Sequence, residues 1–470
     1  MQTYTFPMLR QFDEPPRLPG PGFSGREKLC VASIALGFLM LLSAFLGAPL
    51  GSSRAGPAVT FSLLLAGSIG WFWLRFRATT PRIAHDGIFF SSAMARGAVG
   101  WGLGVLFTGF YVLLYWFPRF IEGGARLVDP VSRALAGRPA DQWFLYGFLY
   151  TLAVVVFGAR MLLKYRHNRY QRLRTSSVVF FQLGFAFLVP QILKSLNQPE
   201  FYFSYFWPLK PEYLFPSDFR NLIAHPGGLG LFMVTWGAVM TFVATPVLTY
   251  FFGKRWYCSW VCGCGGLAET LGDPFRQLSD KSSRAWKIER WTIHTVLVLI
   301  ALTTALLWID GSQGGAVLDG LSHGMRRWYG FFIGMLFSGV AGVGFYPILG
   351  SRVWCRFGCP MAAILGLVQR YGSRFRITVN GEQCISCGNC STYCEMGIDV
   401  RAYAQRGENI VRASCVGCGV CSAVCPRGVL KLENGRTHQD RFPGAARPAS
   451  AFLESLGLVS HTRGKGAYMT

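Results

Sequence analysis

Four stretches of this chain, residues 29–50, 97–118, 227–253 and 328–349, contain no charged side chain at all. A helix needs about 20 consecutive apolar residues to cross the hydrocarbon of a bilayer. Each of these stretches is long enough, and a water-soluble fold has no use for four of them. Three shorter runs extend the pattern at residues 57–74, 143–163 and 291–308, with Arg160 placed near an end from which it can snorkel. An eighth, residues 176–193, carries Gln182, Pro190 and Gln191, which a bundle-facing helix accommodates better than a lipid-facing one. The expected fold is therefore mainly α, a polytopic membrane helix bundle of about eight spans, with membrane lipid as its surroundings.

The charge pattern agrees. Lysine and arginine number 46 against 23 acidic residues, a net +23, while only 15% of residues are charged. A nucleic-acid binder would gather this excess on one face. Here it falls in clusters between the apolar runs, so nucleic acid is not an expected partner. Counted loop by loop, the cations concentrate on one side. Arg75, Arg77, Arg82 and Arg96 lie there, as do Lys164, Arg166, Arg169, Arg172 and Arg174, and seven more between Lys254 and Arg290. The positive-inside rule makes that side cytoplasmic, and an even number of spans returns both termini to it. This orientation fits a bacterial inner (cytoplasmic) membrane. The Pro-rich leader and the lack of a clean cleavage site argue that the first run is retained rather than removed as a signal peptide.

Twelve of the fourteen cysteines fall in close-spaced groups after residue 257; Cys264 lies beside one group and Cys30 is alone. Cys384, Cys387, Cys390 and Cys394 form one C-x2-C-x2-C-x3-C run, and Cys415, Cys418, Cys421 and Cys425, followed by Pro426, form another. This is the bacterial two-cluster ferredoxin pattern, in which the fourth cysteine of each run ligates the other cubane. Cys384, Cys387, Cys390 and Cys425 are thus expected to hold one [4Fe-4S] cluster, and Cys415, Cys418, Cys421 and Cys394 a second. A zinc site needs four ligands and leaves the eightfold repeat unexplained.

A second constellation is internal to the membrane region. Gly253, Arg255, Cys258 and Cys262 recur as Gly350, Arg352, Cys355 and Cys359 at a constant offset of about 97 residues, each set following an uncharged run. Cysteines at i and i+4 are expected on one helical face. Two such faces brought together offer four thiolates, Cys258, Cys262, Cys355 and Cys359, as a membrane redox site: a further Fe-S cluster, a copper site or a redox dithiol. The arginine three residues before each first cysteine is expected to favour the thiolate. Cys264 has no counterpart, since Met361 stands at the matching position.

These motifs together, with the phrases Cys390-Ser-Thr-Tyr-Cys394-Glu-Met-Gly and Trp354-Cys355-Arg-Phe-Gly-Cys359-Pro360, resemble the membrane polyferredoxin family that includes NosR, NapH and CcoG. The resemblance covers about residues 175 to 435. It implies an electron-transfer component of an oxidoreductase system, relaying electrons between a membrane carrier such as quinol and a partner metalloenzyme or other redox protein. It also implies a rival role, an assembly factor that reduces or handles copper for a respiratory enzyme. The chain departs from the pattern at Gly263, where proline is usual, and in having four spans ahead of the shared core.

Other signals are weaker. His294 is the only histidine well inside an expected span, and one imidazole cannot supply bis-histidine haem ligation. No glycine-rich phosphate loop with a lysine appears. The aromatic stretch 201–213 reads as an interfacial belt, with the border of a quinone pocket as its alternative. Arg370, Arg374 and Arg376 are expected to meet anionic headgroups. The expected organisation is a Pro-rich cytoplasmic leader (1–28), a four-helix membrane region (29–174), a repeated membrane core (175–372), a C-terminal α+β two-cluster ferredoxin domain (373–436) and a flexible cytoplasmic tail (437–470).

Overall fold

The computed structural model describes residues 24–48, 55–77, 97–312 and 319–435. The tail and most of the leader lie outside them. Among the described residues seven helices are long and apolar enough to cross a membrane: Gly25–Phe45, Ala55–Phe76, Ala98–Trp116, Gln142–Lys164, Arg169–Ser195, Leu229–Phe252 and Ser283–Ser312. They make the chain an integral membrane protein. Large apolar side chains such as Leu39, Val105 and Phe242 are more than half exposed on them, as lipid-facing positions require.

The eighth expected run is not one continuous helix. Asp319–Tyr329 passes into a π-helical stretch, Gly330–Ala341, continues as the α-helical residues Gly342–Gly344, turns at Phe345 and resumes as Tyr346–Leu349. Gly344 packs so closely on the helix Ala98–Trp116 that an added Cβ would lie 3.1 Å from the Thr108 Cα. Pro347, at the start of the last turn, has no N–H with which to continue the ladder. Two other π-helical stretches, Phe181–Leu188 and Met240–Ala244, lie just ahead of Pro190 and Pro246. A widened turn relieves the clash between a proline ring and the carbonyl four residues back.

The C-terminal domain carries a two-stranded antiparallel sheet, β1 (Phe375–Val379) with β2 (Leu430–Asn434), in the register Phe375 to Asn434 and Val379 to Leu430. All five residues of β1 are buried. One continuous hydrophobic core holds Cys258, Cys262, Cys355 and Cys359 together with Cys390, Cys415 and Cys421. The domain is therefore seated on the loops that end the membrane helices rather than tethered beside them.

Two surface expectations gain detail. Within the aromatic stretch 201–213, Phe201 and Phe206 are buried and Phe201 stacks on Tyr213 at 4.4 Å, while Tyr202, Phe203, Tyr205 and Trp207 are half-buried. Arg376 is also buried, whereas Arg374 stays outside, stacked on the rings of Tyr250 and Phe251.

Candidate iron-sulfur centres

Local backbone geometry gathers the ferredoxin cysteines. Gly388 and Gly419 hold positive φ (78° and 72°), and each leads directly into a one-turn helix, Asn389–Thr392 or Val420–Ala423, that carries the third cysteine of its run. One residue before the second cysteine, Gly417 takes φ 62° and Ser386 takes φ 58°. The two runs thus fold alike although their residues differ. One small cavity is lined by Cys384, Cys387, Cys390 and Cys425. Another is lined by Cys394, Cys415, Cys418 and Cys421. Each brings three thiols of one run together with the last thiol of the other. Four converging soft donors, with the Ile398 N–H reaching the Cys394 sulfur at 3.4 Å, suit a cubane. The two sets differ in exposure: Cys387 is exposed, while Cys415 and Cys421 are buried.

The membrane cysteines share no helical face, contrary to expectation. Cys258 closes the one-turn helix Arg255–Cys258, and Cys262 stands in extended conformation as the N-cap of the helix Gly263–Glu269. The second copy repeats this: Cys355 lies in Val353–Phe357 and Cys359 caps Pro360–Tyr371. In both copies the N–H of the second cysteine bonds the carbonyl five residues back, Cys262 to Tyr257 at 2.8 Å and Cys359 to Trp354 at 3.0 Å. Gly253 and Gly350 open both loops at φ 68° and 94°. The repeat is a loop geometry, and it places all four thiols in one buried core.

Its cations are not symmetric. Arg352 is fully buried, with Nη1 3.6 Å from the Cys355 sulfur and 3.4 Å from the Cys258 carbonyl, so one guanidinium ties the two copies together. Arg255 instead lies over the Phe375 ring at 4.6 Å. Its expected place near Cys258 is taken by Lys254, which is 1% exposed. Cys264, unmatched in the repeat, lies beside Cys262 and, with the backbone N–H groups of Cys264 and Gly265, lowers that thiol to about 7. Spacing alone could not show a fifth thiol at the site; its closeness to Cys262 in sequence was the available signal. Gly263 is explained as well. An added Cβ would lie 2.8 Å from both the Tyr150 hydroxyl and the Gln182 Oε1, so the usual proline has no room here.

Sequence reasoning missed a buried ion network beneath the second cysteine set. Arg160, Lys164 and Arg276 meet Asp273; Arg174 and Arg352 meet Glu269; Arg276 and Arg352 meet Glu395. Every member is nearly or fully buried. Five cations face three carboxylates, which leaves an excess of two positive charges. Oxygen atoms of Glu269 and Glu395 and the Cys418 sulfur lie within 4.8 Å of one another. Burial alone would raise the Glu395 carboxyl, but Arg276 and Arg352 hold it below the usual carboxylate range. Isolated buried charges are costly, and an anionic cluster at Cys418 accounts for a surplus of this sign.

Comparison with known proteins agrees with these centres. A family described as a 4Fe-4S binding domain matches residues 235–287 and 331–378, the two copies of the membrane repeat. A 4Fe-4S dicluster domain matches residues 376–426. The putative electron transport protein YccM of Escherichia coli is 30% identical over 173 residues, 35% of this chain and 47% of the relative. The methylamine utilization ferredoxin-type protein MauN of Paracoccus denitrificans is 30% identical over 149 residues, 30% of this chain and 48% of the relative. The ferredoxin-type protein NapH of Escherichia coli is 28% identical over 163 residues, 32% of this chain and 51% of the relative. The chain spans about half the length of the curated relatives it matches. No solved structure matches. The resemblance to membrane polyferredoxins holds, and the cofactors it implies are [4Fe-4S] clusters.

Proposed function

We propose that this chain relays electrons between a carrier in the membrane, a quinol, and a partner metalloenzyme, through the membrane cysteines and two [4Fe-4S] clusters on the cytoplasmic side of a bacterial inner membrane. Bound cubanes supply one-electron carriers; the protein's own residues set their order and their charge. The carrying observation is where the membrane core touches the ferredoxin domain. Ser259 Oγ donates to the Val416 carbonyl, Gln369 Nε2 to that of Cys415, Gln171 Nε2 to that of Cys418 and the Tyr170 hydroxyl to that of Gly417, each at 2.8 Å. These bonds fall on the run of the second set, beside the membrane cysteines. The first set lies beyond it, with Cys387 exposed toward a partner.

The order is therefore membrane cysteines, then the Cys394, Cys415, Cys418 and Cys421 set, then the Cys384, Cys387, Cys390 and Cys425 set. The positive surplus around Glu395 stabilises the more reduced, more negative state of the nearer set and raises its potential. A second reading, copper handling for a respiratory enzyme, draws on Cys264, because Cys262 and Cys264 form a pair of soft donors suited to Cu(I).

The test follows electrons from quinol in membranes by EPR. Cys387→Ser should leave reduction of the Cys415 set intact and stop delivery to a soluble acceptor. Cys418→Ser should stop reduction of the Cys384 set by quinol. The opposite pattern would reverse the order, and copper retained at the membrane cysteines without quinol-driven reduction would favour the second reading.

A further inference from the structure

One cavity measures about 340 Å³, at the lower end of the range typical of small-molecule sites (about 300–1,000 Å³). Its walls are the cytoplasmic end of the helix Ser283–Ser312, the helix Pro360–Tyr371 and the loop 411–414, and Cys355 closes one side. Cys355 is the one cysteine that lines it, so the cavity borders the membrane cysteine site and contains none of the ferredoxin cysteines.

Its charge is one-sided. Lys254, Arg290, Arg370 and Arg412 line it, and none of the four forms an ion pair with a carboxylate among the described residues. The one acidic side chain in the wall, Glu289, is already held by Arg356 Nε at 2.7 Å. Lys254 is 1% exposed; it stands near Cys258, and its ammonium donates to a neutral group, the Ala413 carbonyl at 3.3 Å. Arg290 and Arg412 stack on the ring of Trp286, at 4.5 and 4.8 Å from its centre, and are thereby set in place before any ligand arrives. Four cations converging on one cavity call for an anion with several acceptor oxygens, and guanidinium forks match phosphate.

Position suggests the source. The floor is apolar, formed by Ile293, Ala362, Ala363 and Gly366. Leu367 and Tyr371 at the rim are exposed, as is Trp291 on the neighbouring helix turn. Apolar rim, aromatic side chains and cations occur together at the cytoplasmic headgroup level of a membrane.

We propose that this cavity binds a phosphate-bearing anion, with the headgroup of an anionic phospholipid as the source its position favours. The bound phosphate neutralises the surplus charge and fixes the helix Ser283–Ser312 against the loop that leads into Cys415.

The test uses the full chain with its clusters, equilibrated with phosphatidylcholine vesicles with and without phosphatidylglycerol, and counts retained lipids by native mass spectrometry. A parallel arm titrates inorganic phosphate and follows its phosphorus resonance. Paired Arg290→Gln and Arg412→Gln substitutions at half-buried positions should weaken phosphatidylglycerol retention roughly thirty-fold, from two lost cation contacts at the membrane surface. Arg169→Gln with Arg172→Gln removes the same charge from an exposed cytoplasmic segment and should leave retention unchanged. Phosphate broadening that the paired cavity substitutions abolish, with no lipid preference, assigns the same site to a soluble phosphate. Equal losses in the two double variants, or retention of neither anion by the parent chain, would overturn the proposal.

Discussion

Ser259, the residue after the first membrane cysteine, donates its hydroxyl hydrogen to the carbonyl of Val416, the residue after the first cysteine of the second ferredoxin run, across 2.8 Å in a buried contact. Two hydrogen-bonded neighbours thus join Cys258 to Cys415, although some 157 residues separate the bonded pair in sequence. The bond seats the domain, and in the proposed relay it links the loop of Cys258 to the loop of Cys415.

Replacing Ser259 with alanine leaves a buried carbonyl without its donor, which costs about 1–3 kcal/mol. Iron and sulfide content should stay at the parent level, while quinol-driven reduction of the Cys415 set slows. Stopped-flow absorbance on membranes reads the rate. A parent-like rate would remove this bond from the path.

The two cysteine-lined cavities predict crossed damage. Cys425→Ser should disturb the EPR signal of the Cys384, Cys387 and Cys390 cluster, and Cys394→Ser that of the Cys415, Cys418 and Cys421 cluster. Assignment requires each variant to retain the other signal. A signal that follows its own run and not its partner's would show uncrossed ligation.

Asp273 anchors one end of the ion network, so Asp273→Asn strands Arg160 and Lys164, leaves Arg276 with Glu395 alone, and should cost about 3–5 kcal/mol. Thermal melting in detergent is the readout. Burial pushes its carboxyl up, but Lys164, Arg160 and Arg276 outweigh that and hold it well below the usual carboxylate range. A depressed folded-state value means the stabilisation is fully present above the ordinary aspartate range. It is lost only as pH falls below about 4 toward the folded value. The Asp273→Asn variant should therefore show a shallower loss of stability on acidification than the parent, and parallel curves would count against the network.

Orientation is open to direct measurement. Reporter fusions after residues 193 and 308 should read periplasmic, and a fusion after residue 435 cytoplasmic, following the cation count of the loops. An external reading at 435 would put the clusters on the wrong side for a reduced-thiol compartment.

Much of the site was legible because its determinants are local. The spacing of the eight ferredoxin cysteines implies crossed sets, and the structure lines two cavities with those sets through tight turns that need only a few residues each. Uncharged length marked the spans for the same reason; at residues 328–349 the helix runs to Gly344, turns at Phe345 and restarts at Tyr346 and Pro347, a break that apolar length alone does not register. The 97-residue repeat likewise gave the equivalent loops of Cys258 and Cys355, though not as helical faces.

What only the tertiary structure decided concerns partners distant in sequence. Arg255 and Arg352 are equivalent in the repeat, yet Phe375 draws one away while Glu269 and Glu395 hold the other beside Cys355. The ion network joins residues from Arg160 to Glu395, and no window of sequence contains it. Ligand spacing is a property of short backbone segments and survives in sequence. Charge compensation in a low-dielectric interior depends on which segments fold against one another, and that is settled by packing alone.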